Sequence, residues 1–328
     1  MYRKSQIITV FILCLTYLLT PPNGFADGDD FLVPNWAVSH FGTQVGQLGV
    51  DIVITQDGIP EILTNMENFA LGRIRHVFGT DEYELYWRTS KVPSSVISID
   101  YLGQFQRDQI LVLGGNGFSL KDYTTGETIQ WYELDKSTDS PGVVADFEGD
   151  GDPDLFVSHN RHTGSCIQVY DLDSGALLWT SDEANAKCFT VGQFDDDIQN
   201  ELIYSLSGQS EGGFVVDLQT FEIEWNYYPD FGEYMVNGDI DQDGKDELII
   251  LTNTGLKAFD VDLQVEIWEI PALSSDQPTL LDIGKDGLME LIYTTGSGGQ
   301  LECLNALDGS NKWTYFKQYG DGWANISA

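Results

Sequence analysis

The stretch GDIDQDGKDELIIL, residues 238–251, combines five acidic side chains with a strongly apolar end. The acidic residues lie between Asp239 and Glu247, and the apolar run Leu248–Leu251 follows them directly. Such a short apolar run after turn residues is typical of a buried β-strand. The acidic part is therefore either a metal-binding loop or a polar turn ahead of that strand.

The same pattern recurs along the chain. It appears as VITQDGIPEIL from Val53, DFEGDGDPDLF from Asp146, QFDDDIQNELI from Gln193 and DIGKDGLMELI from Asp282. A sixth copy starts at Asp100, with its apolar strand shifted by one residue. The copies start 43 to 47 residues apart, and this fixed spacing predicts a repeat architecture.

Each repeat has the pattern of four short strands. In residues 234–270 the segments YMVNGD, DELIILTN, GLKAFDVD and VEIWEI alternate with turns and contain many β-branched and aromatic residues. One tryptophan occurs per repeat, and we expect it to fill the contact between neighbouring repeats: Trp87, Trp131, Trp179, Trp225, Trp268 and Trp313. The sequence therefore predicts an all-β protein, a β-propeller of four-stranded blades with six complete repeats plus end strands, hence six or seven blades.

The acidic loops have the ligand spacing that calcium requires. Calcium prefers six to eight oxygen ligands, and alternate residues of a tight turn can present carboxylates to one side. In the loop from residue 239 the predicted ligands at positions 1, 3, 5, 7 and 9 are Asp239, Asp241, Asp243, the Lys245 carbonyl and Glu247. Gly244 at position 6 permits the turn. Position 12 is Ile250 in the strand, which predicts a β-hairpin metal loop and not an EF-hand.

The other loops keep this design to different degrees. The loop from residue 146 is nearly complete, and its predicted ligands are Asp146, Glu148, Asp150, the Asp152 carbonyl and Asp154. The loop from residue 193 lacks the glycine and offers Asp195, Asp197 and Glu201. The loop from residue 282 lacks the carboxylate at position 3 and offers Asp282, Asp286 and Glu290. For the loops from Val53 and Asp100 we expect polar turns.

With these motifs, residues 45–317 resemble the FG-GAP or VCBS-type repeats of calcium-binding β-propellers, the family that includes integrin α-subunit heads. The resemblance implies a blade for each repeat and calcium in the acidic loops. The third and fourth strands, such as GQLECLNALDGSNKW at residues 299–313, also resemble the PQQ-like propeller repeat.

The two ends carry further signals. Residues 1–26 combine a basic start, a short apolar stretch and Ala26 before a cleavage point, which predicts a signal peptide. Residues 27–44 could supply a closing strand, and residues 318–328 resemble the first strand of a further blade. We expect a fragment of a larger propeller, and the alternative is a six-bladed ring closed by the end strands.

The composition narrows the classes of function and partner that we expect. The net charge of −36 argues against nucleic acid and anionic lipid as partners. We find no catalytic motif, and we expect an exported protein, extracellular or periplasmic, that binds calcium and presents loops to a protein or glycan. The alternatives are a propeller enzyme, such as a polysaccharide lyase or a quinoprotein-like dehydrogenase, and an envelope assembly factor. Export would also allow a Cys166–Cys188 disulfide, for which buried free cysteines are the alternative.

Overall fold

The structure of the chain is a computed structural model. The model describes residues 50–54, 60–66, 70–77, 83–89, 96–138, 140–159, 166–181, 186–197, 199–206, 212–232, 234–271, 278–283, 286–295 and 300–316. The predicted signal peptide, the segment 27–44 and the end segment 318–328 lie outside the described residues.

The described residues form six antiparallel four-stranded sheets arranged as a ring, a six-bladed β-propeller. The first blade contains β1 (Val50–Ile54), β2 (Pro60–Met66), β3 (Ala70–His76) and β4 (Tyr83–Arg88). The second contains β5 (Val96–Tyr101), β6 (Gln109–Gly114), β7 (Gly117–Asp122) and β8 (Thr128–Glu133). The third contains β9 (Val143–Ala145), β10 (Asp154–Ser158), β11 (Ile167–Asp171) and β12 (Leu177–Thr180).

The remaining three blades repeat this plan. The fourth contains β13 (Ala186–Gly192), β14 (Glu201–Leu206), β15 (Gly213–Asp217) and β16 (Ile223–Tyr227). The fifth contains β17 (Tyr234–Gly238), β18 (Glu247–Leu251), β19 (Gly255–Asp260) and β20 (Val265–Pro271). The sixth contains β21 (Thr279–Leu281), β22 (Glu290–Thr295), β23 (Gln300–Asn305) and β24 (Asn311–Phe316). The only helical element in the described part of the chain is a 3₁₀ turn at Leu102–Phe105.

Within a blade the strands follow chain order, so each blade is a simple meander. First strands of successive blades lie side by side, as in the contacts of β1 with β5 and of β13 with β17. Within a blade, burial decreases from the second strand to the outermost strand. In the fifth blade all five residues of β18 are buried, whereas Trp268 is the one buried residue of β20. The acidic loops join first to second strands and therefore lie at one face of the ring.

The hydrophobic core lies between adjacent blades. Leu111 of the second blade packs in one cluster with Leu155 of the third, and Ile249 of the fifth packs in another with Leu291 of the sixth. The cysteines in this part of the chain, Cys166, Cys188 and Cys303, form no disulfide, so the Cys166–Cys188 bond is not present.

Four of the six tryptophans pack against the next blade, namely Trp87, Trp179, Trp225 and Trp268, whereas Trp313 packs with Leu281 and Ile283 of its own blade. The indole Nε1 of Trp268 donates to the Ala306 carbonyl at 2.8 Å, and that of Trp87 donates to the Tyr123 carbonyl at 3.0 Å. Trp131 is 42% exposed, and the prediction for this residue was wrong. Its neighbour Tyr132 contacts the third blade instead, where its hydroxyl donates to the Asp173 carbonyl. In β8 the β-bulge lies one residue further from the tryptophan than in the other blades. Because side chains alternate along a strand, this shift brings Tyr132 and not Trp131 to the side of the third blade.

Candidate metal centres in the acidic loops

The carboxylate at position 9 has the same structural role in four blades. It begins the second strand and accepts a hydrogen bond from the backbone N–H of loop position 2. The donor–acceptor pairs are Phe147 to Asp154 at 2.9 Å, Phe194 to Glu201 at 2.6 Å, Ile240 to Glu247 at 2.8 Å and Ile283 to Glu290 at 2.8 Å. All four carboxylates are buried. Each uses one oxygen to close its hairpin, which leaves the other oxygen for a second partner.

The loop of the fifth blade brings three predicted ligands together. Oxygens of Asp239, Asp241 and Glu247 all lie within 4.8 Å of one another. The Oδ1 atom of Asp239 is buried and has no hydrogen-bond partner among the described residues. Gly244 has a φ of +96°, as its predicted role in the turn requires. A buried carboxylate oxygen without a donor suits a cation, and this set fits a calcium ion.

The side chains of the other two residues in the predicted ligand set, Asp243 and Lys245, make contacts of their own. Asp243 accepts a hydrogen bond from the Lys245 N–H at 2.9 Å, so its carboxylate also supports the turn. The Lys245 ammonium lies 3.0 Å from Asp196 and 2.5 Å from Asp262. Hydrogen bonds to Asp262 and Asp196 raise the pKa of Lys245, and its side chain links the fifth blade to the fourth.

The loop of the fourth blade forms a second group of three, although its sequence keeps less of the motif. Oxygens of Asp195, Asp197 and Glu201 lie within 4.8 Å of one another. Glu201 is fully buried, and its Oε1 atom has no hydrogen-bond partner in the described part of the chain. Gln193 at position 1 donates to the Asp195 carbonyl at 3.1 Å and so supports the loop in place of a ligand. The position-6 residue, Ile198, lies outside the described residues.

The loop of the third blade is held mainly by its own backbone. Asp146 accepts hydrogen bonds from the N–H groups of Gly149 at 2.7 Å, Asp150 at 3.2 Å and Gly151 at 2.7 Å. Asp150 accepts another from Asp152 at 2.9 Å. Among the described residues, the closely spaced groups of three carboxylates occur in the fourth and fifth blades, whereas Asp146, Glu148, Asp150 and Asp154 do not form one.

In the sixth blade a lysine contacts the position-9 carboxylate. Lys312 of β24 donates to Oε1 of Glu290, the oxygen that the loop N–H leaves free. Burial lowers the pKa of Lys312, but the hydrogen bond to Glu290 and the charges of Glu290 and other nearby groups together raise it above its usual value, so the ammonium is charged at neutral pH. Asp282 accepts backbone hydrogen bonds from Asp286 at 3.2 Å and Gly287 at 2.9 Å. The loop motif in the sequence does not include Lys312, which was therefore not predicted as a site residue.

The first blade uses arginine in the same place. Glu61, at the position-9 site, is fully buried, pairs with Arg73 and lies 3.3 Å from Arg75. The Tyr123 hydroxyl also donates to Glu61 at 2.6 Å. The loop between β1 and β2 at residues 55–59 lies outside the described residues. These arginines were also missed, since the β3 residues contact Glu61 through the sheet and not through a motif.

In the third, fourth and fifth blades, burial makes the charge of the position-9 carboxylate unfavourable unless a counter-charge is present. Burial raises the pKa of Glu201 to about 8, that of Glu247 to about 7 and that of Asp154 to about 7. Neighbouring loop carboxylates add to each rise, while the backbone N–H that closes the loop lowers the pKa. A bound divalent cation would remove this repulsion and favour the ionised form of each carboxylate.

No family model matches the chain, and no curated protein matches it either. Solved structures of similar fold include BamB from Moraxella catarrhalis, which is 15% identical with a TM-score of 0.51 over 81% of this chain and 72% of that one. KlHsv2 with loop 6CD replaced by a Gly-Ser linker is 12% identical with a TM-score of 0.52 over 85% of this chain and 84% of that one.

The third similar structure is BBS1N in complex with ARL6DN, which is 12% identical to this chain with a TM-score of 0.57. The match covers 84% of this chain and 83% of that one. Among the described residues, no helix is long and apolar enough to span a membrane. At such low identity the likenesses show the fold alone, and the chain is similar to these proteins as a β-propeller.

Proposed function

We propose that the chain is an exported, calcium-binding β-propeller that serves as a scaffold for a protein or glycan partner at the cell surface or in the periplasm. The observation that carries the proposal is the pair of carboxylate groups in the fourth and fifth blades, each with a buried oxygen that lacks a donor among the described residues. All three ligands of each group are carboxylates, and hard oxygen donors of this kind favour calcium over softer metals.

Calcium would act on the loops more than on the fold. Extracellular calcium modules bind with a Kd of about 10⁻⁴ to 10⁻³ M, so at millimolar calcium each site adds about 0.4–1.4 kcal/mol to the free energy of unfolding. The blades are held by the clusters between them, and the ion would fix the loops at one face.

We assign partner binding to three of the longer or more flexible connections in the sequence, HNRHTGSC, GQSEGG and GSGG. These segments join second to third strands, whereas the acidic loops join first to second strands. Most of their residues lie outside the described part of the chain. The enzyme and the envelope assembly factor stay alternative predictions, since the fold likenesses do not distinguish among these functions.

Isothermal titration of the calcium-free full chain with CaCl₂ tests the proposal. We expect binding at millimolar or lower concentration, and we expect Asp239→Asn with Asp241→Asn to remove one site because both residues belong to the group in the fifth blade. Glu266→Gln is the matched control, since it removes one acidic charge from the exposed strand β20 of the same blade. A wild-type chain that takes up no calcium would contradict the proposal.

A further inference from the structure

The outermost strand of each blade contains a β-bulge at nearly the same place. In the fourth blade Val215 pairs with Trp225 and Val216 with Ile223, which leaves Glu224 as the extra residue. In five blades the bulged residue directly precedes the tryptophan, and these residues are Tyr86, Leu178, Glu224, Ile267 and Lys312. Only in the second blade does it lie two residues before the tryptophan, at Ile129.

Contacts in two blades show where the bulged side chain points. In the sixth blade the bulged Lys312 donates directly to the position-9 carboxylate of Glu290. In the first blade the ring of the bulged Tyr86 lies 4.7 Å from the guanidinium carbon of Arg73, and Arg73 pairs with the position-9 carboxylate of Glu61. In these two blades the bulge therefore places its side chain at the position-9 carboxylate or at the basic side chain paired with it.

The fourth blade has the same register but the opposite charge. Glu224 occupies the bulge, and the position-9 carboxylate is Glu201, whose Oε1 atom is buried without a partner among the described residues. Burial raises the pKa of Glu224, and the charges of Asp195, Asp217 and Asp197 raise it further, which agrees with a carboxylate at the edge of this group. Glu224 lies in the exposed strand β16, outside the loop motif.

We propose that the bulged residue determines which acidic loops take a divalent cation. In the fourth blade Glu224 adds a carboxylate to a cation held by the loop residues Asp195, Asp197 and Glu201. In the sixth blade the Lys312 ammonium takes the place of the metal ion and excludes it from the loop. This inference rests on the proposed calcium binding. The Lys312 ammonium already contacts Oε1 of Glu290, and its positive charge repels a metal ion at the same oxygen. In the fifth blade the bulged residue is the uncharged Ile267, so that loop depends on its own carboxylates alone.

The first test concerns Glu224, with CaCl₂ alone as the probe and the full chain in calorimetric titration. Glu224→Gln is expected to weaken calcium binding at one site by about tenfold, the low end of what groups around a metal contribute. Glu224→Lys reproduces the charge of the sixth blade and is expected to remove one equivalent of calcium. The matched control is Glu222→Gln, an exposed carboxylate two residues away at which no change is expected. Unchanged binding by both Glu224 variants would overturn the assignment.

The second test concerns Lys312. Lys312→Gln is expected to bind one more equivalent of calcium than the wild type, and calcium is expected to raise its melting temperature more than that of the wild type. Lys257→Gln is the matched control, because the ion pairs of Lys257 with described residues are to carboxylates of β20, Glu266 at 3.0 Å and Glu269 at 3.3 Å. If Lys312→Gln folds poorly without calcium, recovery of folding in calcium supports the proposal, and poor folding in both conditions leaves Glu224→Lys to decide.

The two proposals fail in different ways. A wild-type chain that binds no calcium overturns the proposed function and this inference with it. A wild-type chain that binds calcium, together with Glu224 and Lys312 variants that bind it with the same affinity and stoichiometry, overturns only the role of the bulged residues.

Discussion

The position-9 carboxylate shows how one residue can close the hairpin and still offer an oxygen to a cation. One oxygen of Glu201 accepts the Phe194 N–H at 2.6 Å, and the other is buried without a donor among the described residues. Burial raises the pKa of Glu201 to about 8, well above the pKa of an unfolded glutamate. Folded chains therefore bind more protons than unfolded ones between these two pKa values, and in the absence of metal stability falls as the pH rises through this range.

We predict that Glu201→Gln raises the melting temperature of the chain in EDTA at pH 8. The glutamine oxygen still accepts the Phe194 N–H, but the buried charge is gone. Each kcal/mol gained should raise the melting temperature by about 2 °C. At pH 5 the difference from the wild type should nearly vanish, since Glu201 is then protonated in the folded state. Thermal melts at both pH values, with Glu222→Gln as the control, measure this, and an equal effect at both values would contradict it.

At the scale of the strand, the outermost element of a blade connects it to the next one. Trp268 of β20 is 8% exposed and reaches the Ala306 carbonyl of the sixth blade. The left-handed turn at Gly309 permits this contact, because a Cβ there would lie 3.1 Å from the indole of Trp268. The tryptophan thus joins two blades by packing and by one hydrogen bond.

We predict that Trp268→Ala lowers the free energy of unfolding by about 3–5 kcal/mol, as expected for a large buried aromatic side chain. Trp131→Ala is the matched control and should cost much less, because Trp131 is 42% exposed. Urea denaturation of both variants measures the difference. Equal losses would contradict the prediction that the buried contact of Trp268 stabilises the chain more than the exposed Trp131 does.

The elements could be predicted from the sequence to the extent that their information is local. The spacing of the acidic loops and of the tryptophans predicts six four-stranded blades, and the structure confirms them. The contact between Lys312 and Glu290 joins residues 22 positions apart and depends on the sheet register and a bulge, which no loop motif encodes. A signal was present, since the residue before tryptophan is lysine in NKWTYF and glutamate in EIEWNY.

At the scale of the whole molecule, the proposed export separates a short leader from the propeller. The predicted cleavage point after Ala26 lies outside the described residues. We predict that the full coding sequence, expressed with its own start, yields an exported chain whose N-terminal residue is Asp27. N-terminal sequencing or intact mass of the exported protein measures this, and a cytoplasmic chain that still begins at Met1 would contradict the prediction.

The distribution of cations around the ring has a consequence for how the molecule would respond to its surroundings. Glu61 in the first blade and Glu290 in the sixth carry their own counter-charge in Arg73 and Lys312, whereas Glu201 and Glu247 have no basic partner in the described part of the chain. On the calcium proposal, chelation would soften only the sector formed by the fourth and fifth blades. The propeller would then be a disc of uneven stiffness, with a permanently rigid part at the first and sixth blades and a second part, at the fourth and fifth blades, whose rigidity follows the calcium supply.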